Sequence, residues 1–439
     1  MPHRRVALLA AVAAAASIAA CAPTLSAELT DDVVRAQAAA PSVVPQSPAA
    51  ATPSREGLQA TLDVAAAAFL AHDADTLRGL LDDPESEFGQ RWLARLDNAR
   101  DVPFGVYRLT LDESLPDLAS DAVRARVGDT AQVAYVIEEV GIDGYDPLGP
   151  AVEDLFLTVV RREGQWRLVA DSDAENLGLV SADHLWDMGP VRATTSAGFL
   201  VLHHPESAGE IATLASEAEI ALNDVRTRWP LDWPQQVVLI VPRDEEELAE
   251  LLHVTFDLTN FVAFATSTPS GQLGDYRLQG ARVILNSERF LARSSDIRRR
   301  ILAHELLHVA TRPASGPHVP AWVEEGVAQR MGELESTTGT ALLDALVASG
   351  DFDGTPPDDS EFVTGGRDRI YLSYQLAWSF VDHLVDAYGD LAVAEFYESL
   401  GTGGIGEPGR ERFHLDRAAR EVFGLSFDEL RQGWVDALT

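Results

Sequence analysis

The chain has 439 residues, 46% of them hydrophobic and 23% charged, enough for a sizeable core and for two or three domains. It carries 34 Lys and Arg against 69 Asp and Glu, a formal charge of -35. That balance excludes recognition of a phosphate backbone, which needs concentrated cations, and the single cysteine, Cys21, excludes an intramolecular disulfide.

The first elements are a leader and a tether. Arg4 and Arg5 precede an apolar stretch over 6–20, shorter than the ~20 residues that cross a bilayer. This is the layout of a secretory signal peptide over 1–20. It ends Ser17-Ile18-Ala19-Ala20-Cys21, similar to the bacterial lipobox of an aliphatic and two small residues before cysteine. The similarity implies cleavage before Cys21, lipidation of its thiol, and a mature chain anchored at the outer face of the cell membrane. Residues 21–57 are rich in Ala, Pro, Ser and Thr, with Pro41, Pro45, Pro48 and Pro53 breaking any long helix, and read as a flexible linker.

A globular pattern starts at Leu58. Leu58, Leu62, Ala65, Phe69 and Leu70 recur at helical spacing, and Leu77, Leu80 and Leu81 continue a helical region. Strand-like runs follow over 105–111, 130–140 and 154–162, then a turn into a last strand at 164–169. In the second run Val133, Tyr135 and Ile137 alternate with Ala134, Val136 and Glu138. Helices first and a curved antiparallel sheet second, closing on "RREGQWRLVADSD", resemble the nuclear-transport-factor-like (SnoaL-like) cone. The resemblance implies a cone-shaped α+β accessory domain over 58–185, a binding or spacer module. No acid–base pair stands out in it, and His72 and Asp75 read as surface residues.

A second unit spans 193–439. Strands are expected at 199–203, 237–241, 261–265 and 282–285, a helix over 211–229, and mostly helices after residue 296. Within the first of those later helices, Ile301-Leu302-Ala303-His304-Glu305-Leu306-Leu307-His308-Val309-Ala310 contains H-E-x-x-H. Residues i and i+4 share a helix face, so His304 and His308 can direct imidazole nitrogens at one zinc ion. Glu305 lies beside them, able to take a proton from an activated water. A catalytic zinc wants a third protein ligand and an open position. Gly and His of the metzincin extension are absent, with Thr311 and Ala314 in their places. Pro313 should end the helix and Pro320 begin another.

That next helix opens Pro320-Ala321-Trp322-Val323-Glu324-Glu325-Gly326-Val327-Ala328. Here the chain resembles the gluzincin branch of thermolysin-like metallopeptidases, in particular the peptidase MA-like family, whose W-L-x-E-G-x-A follows the H-E-x-x-H helix. Trp322, Val323, Glu325, Gly326 and Ala328 occupy that pattern, with Val for Leu. The resemblance implies Glu325 as third zinc ligand, with Glu324 and the loop residue His318 as rivals. It also implies a thermolysin-like zincin domain, with the 282–286 strand as the edge on which extended peptide lies. "IYLSYQLAWSFVDHLVDAYG" resembles the family's later helix and implies Tyr374, or else Tyr371, as oxyanion stabiliser.

The expectation is therefore an α+β, zinc-dependent peptidase of the cell envelope, acting on peptide or protein substrates and not on nucleic acid. Its catalytic residues would be Glu305 and Tyr374, its metal ligands His304, His308 and Glu325. The alternative is an inactive zinc-bearing or ligand-binding lipoprotein. The G-x-G-x-x-G at 401–406 lacks a preceding strand and reads as a helix–helix loop, and Arg298-Arg299-Arg300 as a solvated helix face.

Overall fold

A computed structural model describes residues 55–254, 258–270, 277–333, 339–402 and 411–439. The expected leader, Cys21 and the tether up to residue 54 lie outside the described residues, as does most of the 401–406 loop.

The N-terminal unit opens with three helices, α1 (Leu58–Leu70), α2 (Ala74–Leu80) and α3 (Glu87–Asn98). The helical region expected to run on past Leu70 is broken. His72 adopts a left-handed backbone, and the Asp73 side chain accepts from the Thr76 N–H to cap a new helix. Strand β1 (Phe104–Leu111), helix α4 (Asp121–Val127) and strands β2 (Gln132–Ile142), β3 (Ala151–Arg162) and β4 (Gln165–Ala170) follow. The four strands form a curled antiparallel sheet in the order β1-β2-β3-β4. Side chains alternate across it. Ala134, Val136 and Val140 face the core under α1 and α3, while Val133 and Tyr135 face α4.

A short helix, α5 (Leu185–Met188), leads into the second unit: β5 (Arg192–Ser196), β6 (Phe199–His203), α6 (Ala208–Arg228), β7 (Val237–Val241), α7 (Glu245–Leu252), β8 (Ala263–Ser270) and β9 (Arg277–Leu285). Helices complete it: α8 (Ser287–Leu291), α9 (Ser295–Thr311), α10 (Ala321–Gly332), α11 (Ala341–Ser349), α12 (Arg367–Tyr388), α13 (Asp390–Gly401), α14 (Glu411–Phe423) and α15 (Phe427–Leu438). The five strands are ordered β5-β6-β7-β9-β8, with β6, β7 and β9 parallel and β5 and β8 antiparallel to their neighbours.

That order corrects one expectation. The strand containing 282–286 is internal, bonded to β7 on one side and β8 on the other, so its backbone groups are already used. Among the described residues the two edge strands are β5 and β8, and β8 is the one that flanks β9.

Both faces of this sheet are covered. Phe199, Val201, Val237 and Leu239 point into a core shared with α6 and α9. Leu200, Leu202 and Val238 point the other way, into the core of the N-terminal unit. Burial on both sides explains why 237–241 is a continuous apolar run rather than an alternating one.

Candidate metal centre

Helix α9 starts at a Ser294 cap, whose hydroxyl accepts from the Ile297 N–H, and every residue over 301–311 is buried. A helix buried all round must be apolar all round. Ile301, Leu302, Leu306 and Leu307 meet that need, so three polar side chains in the same turns, His304, Glu305 and His308, stand out. Pro313 behaves as expected: the α-helix stops at Thr311 and a 3-10 turn occupies Arg312–Ala314. Pro320 is the N-cap of α10.

Helix α10 approaches its neighbours closely because it carries glycine where they touch. A Cβ at Gly326 would lie 2.5 Å from the Ala377 carbonyl oxygen of α12, and one at Gly332 would lie 3.0 Å from the His304 backbone N. This contact brings Glu325 against α9. His304 Nε2 lies 3.2 Å from His308 Nε2, and Glu325 Oε2 lies 3.4 and 3.6 Å from those two nitrogens. The three residues are 0%, 1% and 2% exposed.

Do these donors fit a metal ion? A proton shared between the two imidazoles would account for the 3.2 Å contact alone. It would leave Glu325 Oε2 buried and without any hydrogen bond, as it stands. Leaving a buried carboxylate oxygen unanswered is costly. Tetrahedral ligation at ~2.0–2.1 Å places neighbouring donor atoms roughly 3.3 Å apart, close to all three separations. The His–His–carboxylate set suits a borderline-soft divalent cation. Burial disfavours the charged imidazole of His308 and pulls its pKa down to about 4, leaving it neutral as a metal ligand must be. Burial acts to raise Glu325, but the adjoining imidazoles outweigh it and hold the carboxyl below its ordinary range. Among the described residues this is the one group with metal-site spacing.

Glu305, next to His304 in the chain and fully buried, does not join the group. Burial first, then the Glu325 charge, push its carboxyl well above the ordinary carboxylate range, against the opposing pull of Arg312. The Ala265 N–H of β8 also pulls it down, yet neither carboxylate oxygen closes a hydrogen bond. Arg312, one turn beyond His308 and 4% exposed, donates from Nη2 to the Ala265 carbonyl at 3.2 Å. Both backbone groups of Ala265 therefore point away from β9 toward α9.

The rival ligands are placed elsewhere. Glu324 turns to a separate buried group: Tyr397 Oη donates to Glu324 Oε1 at 3.3 Å and lies 2.7 Å from Ser315 Oγ, with Arg312 Nη1 4.0 Å from Glu324. Burial raises the Glu324 carboxyl to about 7 and the Tyr397 hydroxyl upward too. His318 stacks on His414 with ring centroids 3.6 Å apart. Tyr374 is buried in α12, edge-on to Phe362 at 5.1 Å, and Tyr371 lies under the Arg367 guanidinium. Arg298 is no solvated side chain: it forms a two-point ion pair with Glu217 of α6 at 2.7 and 2.6 Å.

Arg312 and Tyr397 were not foreseen. Arg312 shares a helix face with Glu305 and His308 by the same spacing that groups the histidines, so its position was readable. Tyr397 sits 89 residues beyond His308 and carries no local signal.

The N-terminal unit also holds an unforeseen polar cluster. Arg95 of α3 contacts Glu138 of β2 at 3.2 Å and Asp187 of α5 at 2.7 Å, and Glu138 meets His184 Nε2 at 3.0 Å. The signal was present: Glu138 falls on the same strand face as Ala134, Val136 and Val140. His72, expected at the surface, is half-buried, its Nδ1 2.8 Å from the Leu96 carbonyl.

No family model matches the sequence, and no curated protein compared with it is significantly similar.

Proposed function

We infer that the chain is a zinc-dependent peptidase of the gluzincin, peptidase MA-like type. The observation that carries this reading is the pairing of three convergent donor atoms, His304 Nε2, His308 Nε2 and Glu325 Oε2, with an unbonded buried carboxylate, Glu305, beside them. A structural metal site needs the first and has no use for the second.

In this reading His304, His308 and Glu325 hold the ion. Bound zinc supplies Lewis acidity, polarising the scissile carbonyl and acidifying water. Glu305 takes the proton of the attacking water and returns it to the leaving amine. The edge strand β8 takes the peptide-pairing role expected of the 282–286 strand in its half-exposed stretch 266–268, since Arg312 already occupies the Ala265 carbonyl. Tyr374 is the proposed oxyanion donor, and Tyr397 a hydroxyl that holds Glu324 in place. Cleavage of peptides at the outer face of the cell envelope, with the chain tethered through Cys21, completes the proposal.

A second reading has one observation in its favour. His304, Glu305, His308 and Glu325 are all at most 2% exposed, as in a closed structural metal site. Glu305→Gln separates the two. The peptidase reading expects one zinc per chain retained and hydrolysis of a peptide library reduced by about 10²–10⁴-fold. Undiminished hydrolysis would remove Glu305 from its role, and absence of hydrolysis in the native chain would favour the structural site.

A further inference from the structure

We propose that the N-terminal unit is a brace for the strand beside the metal centre, and not a separate ligand-binding module. This rests on the reading of β8 as the peptide-pairing edge. Strand β8 has two halves. Its first half carries Ala265, whose backbone faces Glu305 and Arg312. Its second half carries Thr268, whose Oγ1 accepts the Val152 N–H of β3 at 2.9 Å. Only two residues thus separate a contact at the catalytic base from a contact with the other unit.

The joint between the halves is irregular. Thr266 pairs with Arg282, but Thr268 pairs with Gln279, so β9 bulges at Gly280 and Ala281. Gly280 has a φ of 61°, and a Cβ there would lie 2.3 Å from Ala151 Cα. Its N–H donates to the Gly149 carbonyl at 3.0 Å. The bulge is therefore the seat on which the start of β3 rests. One residue pair beyond it, Arg282 makes a two-point ion pair with Asp146 of the β2–β3 turn, one arm at 2.8 Å, with both side chains at most 10% exposed. A buried, two-point pair fixes direction as well as distance. Bulges re-aim strands near active sites, and an edge strand, bonded to a neighbour on one side only, depends on such contacts to hold its line.

The brace thus places Ala265 through Thr268 and Arg282, which makes these two positioning residues. Neither touches the metal group. The full chain can be tested with Thr268→Val, which keeps shape but removes the acceptor, with Asp146→Asn, and with Thr268→Ser, which restores the hydroxyl. The measurements are backbone amide exchange by mass spectrometry, zinc content, and peptide kinetics. Expected are about tenfold faster exchange over 263–266 in the first two variants, native exchange in α9, unchanged zinc, and KM raised more than kcat is lowered. Thr268→Ser should match the native chain. The proposal is overturned if 263–266 exchange as in the native chain while only 145–152 loosens. It is equally overturned if α9 loosens to the same extent, since that is general destabilisation. A native chain that cleaves no peptide would remove the peptidase reading, and the exchange data would still decide the brace.

Discussion

His304 and His308 face each other through their Nε2 atoms at 3.2 Å, one helical turn apart, and the side chain that closes the triangle comes from a different helix. Two of three donors are thus set by α9 alone. The third depends on how closely α10 packs against α9 and α12.

The two adjacent glutamates should separate cleanly. Glu325→Gln should weaken zinc binding by more than the ~10–100-fold typical of losing a group that merely orients a ligand. Glu324→Gln should leave affinity near native, because its carboxylate faces Tyr397 and Arg312. Competition titration against a chromogenic chelator measures both. Equal losses in the two variants would contradict the assignment.

Gly326→Ala tests whether close packing delivers Glu325. The new methyl would sit 2.5 Å from both the Ala377 carbonyl oxygen and Val381 Cγ2. Overpacking of this kind costs about 1–3 kcal/mol and should push α10 outward. Lower stability together with weaker zinc binding is expected from denaturant titration and metal analysis. Lost stability with native zinc affinity would mean that the helix adapts without moving Glu325.

Arg312→Met removes the donor to the Ala265 carbonyl while keeping much of the side-chain volume. An unanswered buried carbonyl costs about 1–3 kcal/mol, and Glu305 loses the cation that opposes its rise. Chemical denaturation should show the first effect and a fall in kcat the second. An unchanged kcat would confine Arg312 to a structural part.

Stability should depend on pH through the Glu138–His184 pair. Burial acts against the His184 cation, but the Glu138 charge outweighs it and the pKa rises. A raised histidine contributes stability that is full below its ordinary ~6.5 and lost as pH climbs through the raised value. Glu138, raised by burial but lowered more by His184 and Arg95 to about 2, contributes stability lost only as pH falls toward that value. Glu153, raised by burial to about 7, adds a loss that sets in above its ordinary value and is complete near pH 7. The difference in melting temperature between the native chain and His184→Gln should therefore shrink as pH rises from 6 to 9. Parallel slopes would contradict the linkage.

What the sequence revealed follows from how local each signal is. His304, Glu305 and His308 lie within five residues, and helical spacing alone puts them in one place. Pro320 marked the start of α10, so the arrival of Glu325 needed only one packing step beyond the motif. Edge against centre was not legible: an apolar run at 283–285 looks the same whether one neighbour or two flank it, and the β7–β9 pairing joins segments more than 40 residues apart. Glu138 was hidden differently. Its face was readable from Ala134 and Val136, but its partners Arg95 and His184 lie more than 40 residues away on either side. The break between α1 and α2 turned on the Asp73 cap, a signal a run of leucines obscures.

The most direct test is elemental mass spectrometry on the purified native chain beside His304→Ala and Glu305→Gln. A metal-holding triangle predicts about one zinc per chain in the native protein and in Glu305→Gln, and none in His304→Ala. No zinc in the native chain, even after reconstitution with added metal, would contradict the account at its centre.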